Sequence, residues 1–153
     1  QIYLSKIEKI LGIYEYIIKL YNHHFIDKNV ALIDKISKIN NLISKHEELI
    51  TNPLLEYLNK NPKIIAYGKN KIKNKNRAPT ISFTYKNKSS KYISNFLVKN
   101  KIATRNDNFY AWRCLKHLGI DIEDGVVRIS LTHYNTKKEV DHLIKTLKTV
   151  III

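Results

Sequence analysis

Apolar residues recur at helical spacing through the first fifty positions and then switch to short alternating stretches separated by helical runs. Ile7, Ile10, Leu11, Tyr14, Ile17 and Ile18 share one face of a helix over residues 3–21, mildly interrupted by Gly12. Asp27 is placed to N-cap a second helix, whose stripe is Val30, Ile33, Ile36, Ile39, Leu42 and Ile43, continuing to about Ile50. Pro53 suits the opening of a short further helix through Leu58, and Pro62 ends this helical part.

After Pro62 the period changes to two. Lys63–Tyr67 reads as a strand closed by Gly68. Thr80–Tyr85 alternates Ile81, Phe83 and Tyr85 against Thr80, Ser82 and Thr84, the pattern of a strand with one buried face. Ser89 or Ser90 caps a helix with Tyr92, Ile93, Phe96 and Leu97 on its apolar side, ending near Asn100. Residues 102–105 predict a short third strand, followed by a turn at Asn106-Asp107-Asn108 and a helix from Phe109 to Leu118 stopped by Gly119. Val126–Leu131 is the fourth strand, with Val127, Ile129 and Leu131 on one face and Val126, Arg128 and Ser130 on the other. Thr136 and Glu139 form a capping box that opens a last helix, with Val140, Leu143, Ile144, Leu147 and Ile151 at core spacing. The whole reads as an α+β, two-layer fold: two N-terminal helices, then a small, mainly antiparallel four-strand sheet covered by helices.

Composition narrows the class. The 153 residues suffice for one domain with an appended helical piece. No apolar run is long enough to span a membrane, and no signal peptide is visible. A start at Gln1 rather than Met suggests that the chain was trimmed and that its beginning is missing. The single cysteine, Cys114, rules out an internal disulfide and points to the cytoplasm or another reducing compartment. It reads as a small buried residue, and Trp112 reads as core. The net charge of +14 would suit an anionic partner such as RNA. Yet the excess is lysine, spread with Asn and Ile along the whole length, and the most basic run, Lys69–Asn76, lacks the aromatic interleaving of a single-strand binder. Compositional drift and a solvated loop are favoured, and nucleic acid is not the expected partner. His23-His24 are adjacent and have no further ligand at metal spacing, so helix termination is the expected role.

Three motifs in order carry a resemblance. Arg77-Ala-Pro-Thr-Ile-Ser-Phe83, Ile102-Ala-Thr-Arg-Asn-Asp-Asn-Phe-Tyr-Ala111 and Arg128-Ile-Ser-Leu-x-x-Tyr-Asn-Thr-x-x-Glu-Val-Asp141 resemble the C-terminal small domain of class V aminotransferases of the cysteine desulfurase-like group, fold-type I enzymes that use pyridoxal phosphate. The resemblance implies that residues 1–50 are a remnant of the large domain plus the connecting helix, and that residues 51–153 are the small domain. It implies substrate-binding roles for Arg128, as clamp for the α-carboxylate, and for Arg105. It further implies an active-site loop formed by Asn106, Asp107, Asn108, Phe109 and Tyr110. A guanidinium suits such a clamp because its planar fork meets a carboxylate bidentately. For Arg105 a strand-end ion pair with Asp107 is an equal alternative.

Desulfurases carry a nucleophilic cysteine in that loop, because a thiolate can take sulfur from the substrate. The matching position here is Tyr110, and a phenol cannot form a persulfide. The resemblance also places the Schiff-base lysine, the pyridine partner and the phosphate donors of pyridoxal phosphate in the large domain, so this chain alone is expected to bind no cofactor and to catalyse nothing. No metal ligand set is expected. The complete enzyme would act on an amino-acid substrate and form a homodimer. The competing reading is a stand-alone basic α+β module that binds RNA or another polyanion; a third is a degenerate domain kept as a scaffold.

Overall fold

Helix α1 spans Ile2–His24 and helix α2 spans Leu32–Lys60. The computed structural model describes the backbone of residues 2–152 and the side chains of residues 11–150. Ile7, Ile10 and Ile151, which the periodicity assigns to buried stripes, lie outside the described side chains. The chain divides into two compact units, Gln1–His46 and Glu47–Ile153.

In the first unit burial centres on Tyr21 and Ile39, not on the whole predicted stripe. The Tyr21 ring stacks on Phe25 at 4.9 Å, with the Lys35 and Lys38 ammonium groups 5.3 and 5.8 Å from its centroid. Leu11, Tyr14 and Ile33, expected on apolar faces, are exposed. Asp27 does not cap α2: its carboxylate accepts from the Asn29 N–H in a tight turn, and the helix starts at Leu32. His23 and His24 end α1, their rings edge to face at 4.8 Å.

In the second unit the latter part of α2 is followed by β1 (Ile64–Tyr67), β2 (Thr80–Tyr85), α3 (Ser90–Lys99), β3 (Arg105–Asp107), α4 (Trp112–His117), β4 (Val126–Ser130) and α5 (Lys137–Ile152). The sheet order is β1-β2-β4-β3 and every pairing is antiparallel. The second helix does not restart at Pro53, which lies inside α2 on its exposed side. One lost ladder bond is outweighed by Ile50, Leu54, Leu55 and Leu58, all buried in the core and each worth about 1.5–3 kcal/mol of burial.

The predicted alternation on β2 and β4 is what the fold uses. Ile81, Phe83, Val127 and Ile129 point into one core with Ile93 and Leu97 of α3 and Val140, Leu143, Leu147 and Val150 of α5. Helices α3 and α5 and the latter part of α2 therefore cover one face, and the residues in between form the other. The caps follow the chemistry. Ser89 accepts from the Tyr92 N–H, and Thr136 and Glu139 close their box, with the Thr136 N–H donating to Glu139 at 2.6 Å. Asp124 takes the Ser90 N–H on both carboxylate oxygens at 2.8 and 2.9 Å and so ties the start of α3 to the start of β4.

The basic run 69–76 is not simply solvated. Ile72 at its centre is buried, and the Asn52 side chain both accepts from the Ile72 N–H at 2.8 Å and donates to its carbonyl at 3.1 Å. Arg77 closes the loop: its guanidinium donates to the carbonyls of Lys69 and Thr80, and burial pulls its pKa below the ordinary arginine value.

Candidate functional site

The strand register lines up one residue per strand across the face away from this core. Tyr67 lies opposite Ser82, Ser82 opposite Arg128, and Arg128 opposite Arg105. The Tyr67 hydroxyl is spoken for, bonded to Thr84 Oγ1 at 3.0 Å on the same face. Two cations directly opposed on neighbouring strands repel. The repulsion is relieved by Phe109, whose ring centroid lies 4.0 Å from the guanidinium carbon of Arg128 and 5.8 Å from that of Arg105. Arg105 also meets Asp107 at 3.9 Å, with both side chains largely in water, a contact worth little. Arg128 is half-buried, and its guanidinium has no hydrogen-bond or ion-pair partner among the described residues.

The loop that delivers Phe109 is bent by its own residues. The third strand is Arg105–Asp107, about two residues later than the predicted one. The Asp107 carboxylate accepts from the Asn108 N–H at 2.7 Å, and Asn108 Oδ1 accepts from the Tyr110 N–H at 3.0 Å. Phe109 and Tyr110 then adopt φ of 51° and 59°, left-handed values that cost a non-glycine residue about 1–2 kcal/mol each. This is why the predicted helix from Phe109 starts only at Trp112. The bend turns Phe109 inward over the arginines and leaves Tyr110 95% exposed.

A cavity of about 380 Å³ opens beside the Arg128 guanidinium. Tyr67, Gly68, Thr80, Ser82, Val126 and Arg128 of the sheet form its floor, while Asn108, Phe109, Ala111, Cys114, Leu115, Leu118 and Ile120 form the wall. Arg128 is the only charged residue in this lining. Two expectations are corrected here. Cys114 is exposed and lines the cavity, because α4 has only six residues and turns this side toward the open sheet face. Trp112 is 58% exposed, since the left-handed bend puts it at the first turn of α4, outside the core.

The fold thus brings Arg128, Arg105, Asn108 and Phe109 together. Asp107 sits on the same face beside Arg105, whereas Asn106 pairs with Val127 and belongs to the opposite face. The cavity residues Leu118 and Ile120 were not singled out from the sequence. Their signal was the Gly119 stop: the Gly119 and Ile120 N–H groups donate to Lys116 and Leu115, the turn that folds Ile120 back against α4.

The family model described as Aminotransferase class-V matches residues 29–143. The chain belongs to the class-V aminotransferases. Within the family it is 37% identical over 111 residues to the aminotransferase-like protein FGM3 of Gibberella zeae, covering 71% of this chain and 27% of that protein. It is 33% identical over 94 residues to a probable cysteine desulfurase of Mycoplasma pneumoniae, covering 61% of this chain and 20% of that one. The apo cysteine desulfurase of Thermococcus onnurineus NA1 superposes with a TM-score of 0.63 at 24% identity, over 78% of this chain and 30% of that one, and shares the fold. The class-V chain described here therefore spans about a quarter of the length of the curated relatives it matches. Its α+β architecture is the one its sequence pattern predicts, and no helix among the described residues is long and apolar enough to cross a membrane.

Proposed function

We propose that residues 51–153 act as the C-terminal small domain of a pyridoxal-phosphate-dependent class-V enzyme and supply the grip on the α-carboxylate of an amino-acid substrate, with residues 1–50 a remnant of the large domain and the connecting helix. One observation carries this reading. Arg128 stands half-buried on the open sheet face, faces a cavity, and has its charge unmatched by any carboxylate among the described residues. A cation left in that state favours an anionic ligand, and its fork geometry favours a planar carboxylate.

The same cavity does not fit the cofactor. Pyridoxal phosphate requires a lysine, an acidic partner for its ring nitrogen and donors for its phosphate. The cavity lining offers no lysine and no acidic side chain. These residues therefore hold the substrate's carboxylate and orient it, and the cofactor-binding residues belong to another part of the enzyme. When bound there, the cofactor supplies the electron sink for chemistry at the substrate's α-carbon. Arg105 and Phe109 restrict how Arg128 can turn, and the bent loop 106–110 closes the site's edge. Tyr110 supports no persulfide chemistry.

In the enzyme that contains this domain, Arg128→Ala should raise KM for the amino acid strongly, and Arg128→Lys should recover only part of the loss because an ammonium lacks the fork. An unchanged KM in both variants would overturn the proposal. The reading as a polyanion-binding module rests on the net charge of +14, with Lys69–Lys75 and the lysine-rich helices as the binding surface. It requires RNA binding whose affinity falls steeply with salt, and such binding with KM unaffected by Arg128→Ala would favour it instead.

A further inference from the structure

The cavity beside Arg128 has one charged residue at its floor and a mostly apolar wall, a combination that selects among carboxylates. Leu115, Leu118, Ile120 and Val126 line it together with the Phe109 ring, and its polar groups are engaged or small: the Tyr67 hydroxyl bonds Thr84, Asn108 Oδ1 accepts from the Tyr110 N–H, and Thr80, Ser82 and Cys114 carry one hydroxyl or thiol each. Arg105, the second cation on this face, is not part of the lining. The Phe109 ring centroid lies 4.0 Å from the Arg128 guanidinium carbon, and the guanidinium N–H groups, without a hydrogen-bond partner among the described residues, are its donor surface.

From these features we infer that the site takes a monocarboxylate with an apolar body, so that the substrate of the proposed enzyme is an amino acid with an apolar side chain rather than a second acidic group. The inference rests on the carboxylate-grip reading above and names the substrate class for it. The carboxylate lies on the N–H edge of Arg128, and the apolar body lies along Leu118, Ile120 and Val126. A second carboxylate would enter a wall that has no cation to receive it, only the Asn108 amide and the weak Cys114 thiol, at the cost of its own desolvation. The volume of about 380 Å³ is at the small end for ligand pockets, which suits a compact molecule.

The test uses the full 153-residue chain and four probes, acetate, hexanoate, glutarate and 1-hexanol, followed by two-dimensional amide and arginine Nε–H NMR. Each methylene fully buried in such a wall strengthens binding by about fourfold. With the cavity open on one side, hexanoate should bind at least tenfold more tightly than acetate, with shifts at Arg128, Leu118 and Ile120. Glutarate should bind no more tightly than acetate. Arg128→Gln, checked for native peak dispersion, should abolish acetate binding and weaken hexanoate at least tenfold. Leu118→Asn, at an exposed position, should leave acetate unchanged and reduce the advantage of hexanoate.

Equal affinity for acetate and hexanoate, with shifts at Arg128, would overturn the apolar-substrate inference while leaving the carboxylate grip standing. Glutarate binding more tightly than hexanoate would do the same. Hexanol binding as tightly as hexanoate, with no dependence on Arg128, would overturn both. So would the absence of shifts with every probe.

Discussion

Gly125 is where the sequence makes the candidate site possible, and its replacement by alanine tests this quantitatively. The residue lies at the start of β4 with φ of +66°, and a Cβ there would sit 2.3 Å from the Asp107 carbonyl oxygen, 2.4 Å from its carbon and 2.8 Å from the Asn108 nitrogen. All three are backbone atoms, so no side-chain rotation relieves the contact. Gly119 provides the control: its φ is +69°, and nothing lies within 4 Å of the corresponding Cβ. Both substitutions incur the left-handed penalty, about 1–2 kcal/mol. Only Gly125→Ala adds a steric term, which for forced overpacking is about 1–3 kcal/mol. Urea denaturation should therefore show Gly119→Ala losing about 1–2 kcal/mol and Gly125→Ala a further 1–3 kcal/mol or so. The excess should appear locally as faster amide exchange through Asp107–Tyr110, because β3 must move away from β4. Equal losses in the two variants would refute the argument that the close approach at Gly125 positions the loop carrying Phe109.

Other expectations concern single contacts. Lys101 has φ of 63° at the end of α3, where the Lys101 and Ile102 N–H groups donate to Val98 and Leu97, so Lys101→Gly should stabilise the chain by up to about 1 kcal/mol in thermal unfolding. Asn52→Ala removes both bonds to the Ile72 backbone and should cost about 1–3 kcal/mol, with proteolysis then favouring the 69–76 loop. The Thr136 N–H holds the Glu139 carboxyl below its ordinary pKa. That contribution to stability is thus present above the unfolded-state value for glutamate and fades as pH falls through the lower folded value, and urea midpoints measured on either side of pH 4 should fall further in wild type than in Glu139→Gln.

The elements that were legible in the sequence are those in which local pattern and tertiary burial agree. Thr80–Tyr85 is a strand because Ile81, Phe83 and Tyr85 alternate and all three are buried. The Ser89 cap, the Thr136–Glu139 box and the Gly119 stop declare themselves through residues within four positions. Arg128 was legible because it interrupts an apolar strand on the face opposite Val127 and Ile129. The failures are of another kind. Nothing local predicts that Phe109 and Tyr110 both take left-handed φ, so the pattern starts the helix three residues early and puts Trp112 in the core. Pro53 reads as a helix start, and it is the buried stripe around it that carries α2 through. The opposition of Arg105 and Arg128 depends on strand register between segments more than twenty residues apart, which periodicity does not encode.

The central claim, that Arg128 grips the substrate's carboxylate, is tested most directly by removing the two partners separately and together. In the enzyme containing this domain, kcat/KM is measured for an amino acid and for the amine that lacks its carboxylate, with wild type and with Arg128→Ala. A charge-assisted fork predicts a coupling of about 2–5 kcal/mol: the variant loses most of its activity on the amino acid, and its loss on the amine is small. If Arg128→Ala lowers kcat/KM for both substrates by the same factor, the coupling is zero and Arg128 does not hold the carboxylate.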